Sequence, residues 1–92
     1  MAEINRDFVT ARTGYQHAAA ASRSVGSPPE EAIALAGLGR CLLALGETRK
    51  GVARLRESRA IWERLRATPR IAEIDTLIAS VDATASPSAE PV

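Results

Sequence analysis

Leu35–Ser58 reads LAGLGRCLLALGETRKGVARLRES, and the spacing inside it decides the fold. Leu35, Leu38, Gly39 and Leu42 recur at intervals of three and four, which places them on one face of an α-helix. Gly46 interrupts the pattern, as glycine does at a helix C-terminus. The spacing then resumes with Gly51, Leu55 and Ser58, a small, large, small triplet. A helix that carries small residues on either side of a large one can approach its partner closely, so the segment is expected to fold as an antiparallel helical hairpin. Gly39 agrees with this. Glycine inside a helix costs about 1 kcal/mol relative to alanine, and close approach of the second backbone is the compensation the pattern suggests.

Outward from this hairpin, the same triplet stands 40 residues earlier as Ala11, Tyr15 and Ala18. With Phe8, Ser22 and Val25 it marks one stripe of a first helix expected over residues 4–24, which Gly26 ends. Ser27-Pro28-Pro29-Glu30 is a helix start, Ser27 as cap and Glu30 as the second half of a capping box. The second helix is expected over 30–45 and the third over 48–67, where Trp62 and Leu65 extend the stripe. Thr68 and Pro69 open a fourth over 69–83, with Ile71, Ile74, Leu77, Ile78 and Val81 facing inward. Residues 84–92 are mostly Ser, Pro, Ala and Glu and are expected to form a disordered tail. Residues 1–83 thus read as a single all-α domain of about four helices.

Composition narrows the function classes. Twelve Lys and Arg against 11 Asp and Glu leave a formal charge of +1, so the chain as a whole does not ask for nucleic acid or an anionic membrane. A lone cysteine, Cys41, excludes an internal disulfide and a multi-cysteine zinc site and suits a reducing, cytoplasmic setting. There is no apolar run long enough for a membrane span and no apolar leader at the start. Arginine far outnumbers the single Lys50, and alanine is abundant, a bias that fits GC-rich bacterial coding. A chain of this size buries only about 60% of its unfolded surface, so its stability is expected to be marginal.

At the level of these motifs, the second and third helices resemble a tetratricopeptide repeat (TPR), whose helices read W-x2-L-G-x2-Y and A-x3-F-x2-A. Leu35, Leu38, Gly39 and Leu42 match the first pattern, with leucine at both aromatic positions. Gly51, Leu55 and Ser58 match the second. Ala11, Tyr15 and Ala18 resemble the second helix of a preceding repeat, and the fourth helix resembles the first of a following one or a terminal cap. The helices run longer than the consensus and its terminal proline is missing, which is similar to the long-helix TPR arrays of bacterial regulators such as LuxR-type activators and STAND ATPases. The resemblance implies a right-handed solenoid of stacked hairpins and a non-catalytic protein-protein interaction module, scaffolding or regulatory. It implies a groove for a protein or peptide partner lined by Ile33, Ala36, Arg40 and Leu43, in which Arg40 can hold a partner carboxylate. Ile33 and Leu43 could instead pack against the first or fourth helix. Because such repeats need about three units to bury a continuous core, a homodimer or membership in a longer array is expected.

Other chemistry finds little footing. His17, the only histidine, lies off the apolar stripe and reads as a surface residue; Cys41 reads as a small buried hydrophobe. No catalytic set, phosphate loop, metal site or cofactor is expected, and neither is a membrane partner. Arg49, Lys50, Arg54, Arg56, Arg59, Arg64 and Arg66 make the third helix rich in arginine, with Glu47, Glu57 and Glu63 interspersed. A small nucleic-acid-associated regulator using this helix is the alternative reading.

Overall fold

The computed structural model describes residues 2–85, with side chains from Asp7 to Val81. Four helices make up this span: α1 (Ala2–Ser24), α2 (Pro28–Ala44), α3 (Thr48–Arg64) and α4 (Thr68–Ala85). Among the described residues there is no strand.

The three turns between them are copies of one another. In each, the third residue donates its amide to a carbonyl five residues back: Ser27 to Ser22 at 2.9 Å, Glu47 to Leu42 at 2.8 Å and Ala67 to Trp62 at 3.0 Å. The middle residue donates to a carbonyl three back and takes the left-handed conformation, with φ of 71° at Gly26, 85° at Gly46 and 58° at Arg66. This is the Schellman arrangement, which satisfies the last carbonyls of a helix. The third stop therefore falls at Arg64, short of the expected residue 67; an arginine holds the left-handed position that glycine holds in the other two turns, so no glycine marks this stop in the sequence. A non-glycine residue held left-handed costs about 1 kcal/mol or more, partly offset in a glycine variant by its freer unfolded chain. Arg66→Gly is expected to raise Tm by about 2–4 °C in thermal circular dichroism; a lowered Tm would show that the arginine side chain contributes more than its backbone loses.

Ser27 stands at the N-cap of α2, but its side chain makes no capping bond. Its carbonyl instead accepts the Glu31 amide at 3.0 Å. Pro29 has no N–H, which removes the N2 amide as a donor to the cap; the N3 amide, that of Glu30, is present, but the Ser27 side chain does not take it. α4 likewise starts at Thr68 itself, with the Ala67 carbonyl accepting from Arg70 and Ile71. It continues through Thr84 and Ala85, two residues into the stretch expected as tail, since nothing before Pro87 breaks a helix. Residues 86–92, the rest of that stretch, lie outside the described residues.

Each helix runs opposite to the one before. Between α2 and α3, Ser58 Oγ donates to the Ala32 carbonyl at 2.7 Å, while further along α2 Gly39 meets Leu55 and then Gly51. Between α1 and α2, Arg23 near the end of α1 reaches Glu31 near the start of α2, while Arg12 reaches Glu47 in the turn that follows α2. Between α3 and α4, Arg59 reaches Asp75, and Arg70 lies over Trp62. α2 packs extensively on both α1 and α3, and α3 less extensively on α4; α1 and α4 share no comparable contact. The helices therefore form an open row, not a closed bundle. The radius of gyration, 14.1 Å, agrees, since a compact chain of this length measures about 12 Å.

The core sits on α2, where Ala32, Leu35, Ala36, Leu38, Cys41 and Leu42 are buried, with Leu55, Ser58, Ile61 and Trp62 from α3 and Ile74 from α4. At the α2–α3 crossing, a Cβ on Gly39 would stand 2.9 Å from the Gly51 carbonyl oxygen, and one on Gly51 would stand 2.9 Å from the Gly39 oxygen. α1 closes the other side. Tyr15 is half-buried, its ring filling the space over Gly37, and Ala11 is half-buried. Ser22, expected in the packing stripe, is buried; Ala18, also expected there, is exposed, and Ala19 is buried instead. Val25 is also out of the stripe, 75% exposed in the turn.

Candidate interaction surface

α2 and α4 leave a cavity of about 80 Å³ between them. Ile33, Ala36 and Arg40 enter it from α2, four or three residues apart and so on one face. Trp62 of α3 and Arg70, Glu73, Ile74 and Leu77 complete the lining. Three of the four residues expected in the groove are thus brought together. The fourth, Leu43, is not among them: its Cδ2 lies 2.9 Å from the point a Gly51 Cβ would occupy, so it packs against α3 and the core. Leu43 follows Leu42 in a helix that is apolar on nearly every side, and the step from Arg40 to Leu43 carries the side chain round towards α3.

The cavity joins an apolar base to charged edges. Ala36 and Ile74 are buried, whereas Ile33 is 48% exposed and rises between this cavity and a second, shallower groove. That groove runs between α1 and α2, past Tyr15, Ala18, Ala21 and Ala34. The guanidinium carbon of Arg70 lies 5.6 Å from the Trp62 ring centroid, within cation–π range, and its Nη1 is 3.5 Å from Glu73. Arg70 is therefore held by its neighbours. Arg40 is exposed and has no hydrogen-bond or ion-pair partner among the described residues, so its planar donors face outward unspent. With about 80 Å³ against the roughly 300–1,000 Å³ of ordinary small-molecule sites, the cavity has room for one side chain and not for an organic cofactor.

The arginine-rich helix is partly neutralised. Lys50 pairs with Glu47 at 3.3 Å and Arg54 with Glu57 at 2.8 Å. Arg59 is the most engaged: Nε and Nη2 grip the two oxygens of Asp75 at 2.6 and 3.2 Å, and Nη1 takes Glu63 at 2.6 Å. This grip holds the Asp75 carboxyl below its ordinary range and pushes the Arg59 guanidinium up. Arg49, Arg56 and Arg64 have no such partner among the described residues, and their spacing sets them along one outer line of α3.

Cys41 is buried on α2. Burial pushes its thiol up, against the opposing pull of Arg40 and Arg12, so it stays protonated at neutral pH. His17 is exposed. Among the described residues no three His, Cys, Asp or Glu side chains gather where they could hold a metal ion, and no helix is long and apolar enough to cross a membrane.

Trp62, Arg70, Glu73, Ile74 and Leu77 are the members of this surface that the sequence did not assign to it. The signal available was the likeness of α2 and α4 as alternate helices of a row, which sets them on a common side and makes the start of α4 a wall of any groove on α2. Compared with protein-family models, with curated proteins and with solved structures, the chain matches none.

Proposed function

We propose that this chain is a non-catalytic protein-protein interaction module of TPR type, its hairpins set as a segment of a right-handed solenoid, and that a partner segment docks across α2 and α4. One observation supports this above the rest: Ile33, Ala36 and Arg40 line a single cavity with Ile74 and Leu77 of the next helix but one. The shape suits a partner that inserts one aliphatic side chain and offers a carboxylate to Arg40. The module belongs in a reducing, cytoplasmic compartment of a bacterial cell, as part of a scaffold or regulatory assembly. Its open row leaves the far side of α1 and of α4 to be covered by a second copy of the chain or by neighbouring repeats of a longer array.

A random peptide display library selected on the purified protein tests the groove. Enriched peptides should share an aliphatic residue near an acidic one. Ile33→Asp should abolish their binding, and Arg40→Ala should weaken it about tenfold, the loss of one charged hydrogen bond, with helical circular dichroism unchanged. Selection that yields nothing, or peptides that bind both variants as well as the parent, would remove the groove. Light scattering across a concentration series, on the same protein, should give a dimer mass; a constant single-chain mass would leave only the longer array.

The alternative, a nucleic-acid-associated regulator, draws on the line of Arg49, Arg56 and Arg64. Phosphate contacts release counterions, so that reading requires binding to short duplexes that falls steeply with salt, whereas docking of an aliphatic side chain would change little.

A further inference from the structure

We propose that a separate cleft, at the α2–α3 turn, binds a small carboxylate with a short apolar body between the cations Arg12, Lys50 and Arg54. Three helices meet there, and each contributes residues one turn apart: Arg12 and Gln16 from α1, Leu38 and Leu42 from α2, Lys50 and Arg54 from α3. Residues four apart share a helix face, so the cleft is made by one turn of each helix. It encloses about 340 Å³, within the range of small-ligand sites.

Its chemistry is divided by wall. The floor is apolar, since Leu38 and Leu42 are buried. The walls are cationic, with three positive side chains against the single carboxylate of Glu47 in the lining. Arg12 and Arg54 are about two-thirds shielded from solvent, at 30% and 38% exposure, where charges act more strongly than on an open surface.

Glu47 shows what the cleft accepts. Its Oε2 lies 3.3 Å from Arg12 Nη1 and its Oε1 lies 3.3 Å from Lys50 Nζ, so one carboxylate already bridges α1 to α3. Arg54 is less fully met. Its Nη2 reaches Glu57 at 2.8 Å, but its Nε is buried with no acceptor. An N–H donor left unpaired in that way costs about 1–3 kcal/mol; it is closed off from solvent, so an incoming carboxylate meets it by drawing the Arg54 guanidinium round into the cleft. Glu47 and Glu57 neutralise part of the positive charge, which leaves a demand for about one negative charge. A monocarboxylate with a hydrocarbon body fits that demand and the leucine floor better than a phosphate dianion does. The cleft lies on the α1–α3 side and shares no residue with the α2–α4 groove, so its failure would leave the docking proposal untouched.

Hexanoate is the probe, titrated into the whole chain and followed by amide chemical shifts and by calorimetry. The expected result is saturable shifts at Gln16, Leu42 and Lys50, with hexan-1-ol and inorganic phosphate producing neither these shifts nor heat. Arg54→Gln should weaken hexanoate about tenfold or more, as expected for loss of a charged hydrogen bond. Lys50→Gln, at a side chain 77% exposed and so safe for folding, should weaken it about threefold, a smaller effect for a more solvated charge. Arg49→Gln, outside the cleft, should leave it unchanged. Absence of saturable shifts in the parent chain overturns the proposal. So does hexanoate binding that survives both Arg54→Gln and Lys50→Gln, and so does phosphate binding as tight as hexanoate, which would reduce the cleft to a general patch of positive charge.

Discussion

Leu55→Ala is expected to cost about 3 kcal/mol, within the roughly 2–5 kcal/mol seen when a buried leucine is truncated. Leu55 is fully buried, with no exposed surface, and its Cγ and Cδ2 occupy the space that a Cβ on Gly39 would need. Truncation would open a hole between two glycines, and neither has a side chain that could move to fill it. Collapse of the site would require the helices themselves to shift, which the Gly39–Gly51 contact already prevents by holding them at closest approach. A domain of this size has a total stability of only about 5–12 kcal/mol, so the loss is a large fraction, and Tm should fall by about 12–24 °C. Urea and thermal unfolding measure it directly. A fall of less than about 5 °C would mean that α3 is not seated on α2 through Leu55.

The second large effect is expected at the same crossing with the opposite geometry. Gly39→Val adds atoms where a first carbon would already stand 2.8 Å from Leu55 Cγ and 2.9 Å from the Gly51 carbonyl oxygen. A side-chain tip can rotate away; a carbonyl in the middle of a helix cannot. The two backbones must separate, at a cost of about 2–3 kcal/mol for overpacking, which outweighs the few tenths that valine gains over glycine in helix propensity. Gly14→Ala is the matched control, because Gly14 lies within α1 with nothing near its would-be Cβ. It should raise stability by about 0.5–1 kcal/mol. Opposite signs for the two substitutions, read from urea midpoints at equal slope, would establish that close approach and not helix propensity governs position 39. Stabilisation by both would show that close approach of the two backbones does not govern position 39.

The residues differ in how plainly they announced these roles. The α2–α3 hairpin was legible because leucine, glycine and serine alternate there by size, and size is what sets interhelical distance. The stops at Gly26 and Gly46 were legible because glycine tolerates positive φ. Arg66 carries no such mark, and its turn is visible only as the third term of a recurrence at positions 26, 46 and 66. Ala18–Ala21 is four identical residues in a row and so contains no phase, which is why Ala18 and not Ala19 was placed in the stripe. On α2 the difficulty is reversed. A central helix buried on two sides is apolar almost all round, so periodicity could place Ile33, Ala36 and Arg40 on one face but could not separate Leu43 from them. The charged members of both clefts depend on which turns of different helices come level, a property of tertiary packing that no single stretch encodes.

The recurrence also makes the chain sensitive to length in a particular way. From Pro28 onward, 17 helical residues and three turn residues repeat, so the molecule keeps time in steps of twenty. A helix advances about 100° per residue, and one residue inserted in the middle of α3 would turn everything after it by that angle, pointing Trp62 and Ile74 away from α2 while leaving composition and helicity almost untouched. A forty-residue duplication of a whole helix pair would restore the original phase and carry the face made by α2 and α4 onward by one more helix. Changes of length are thus punished or absorbed according to their remainder, and not according to their size.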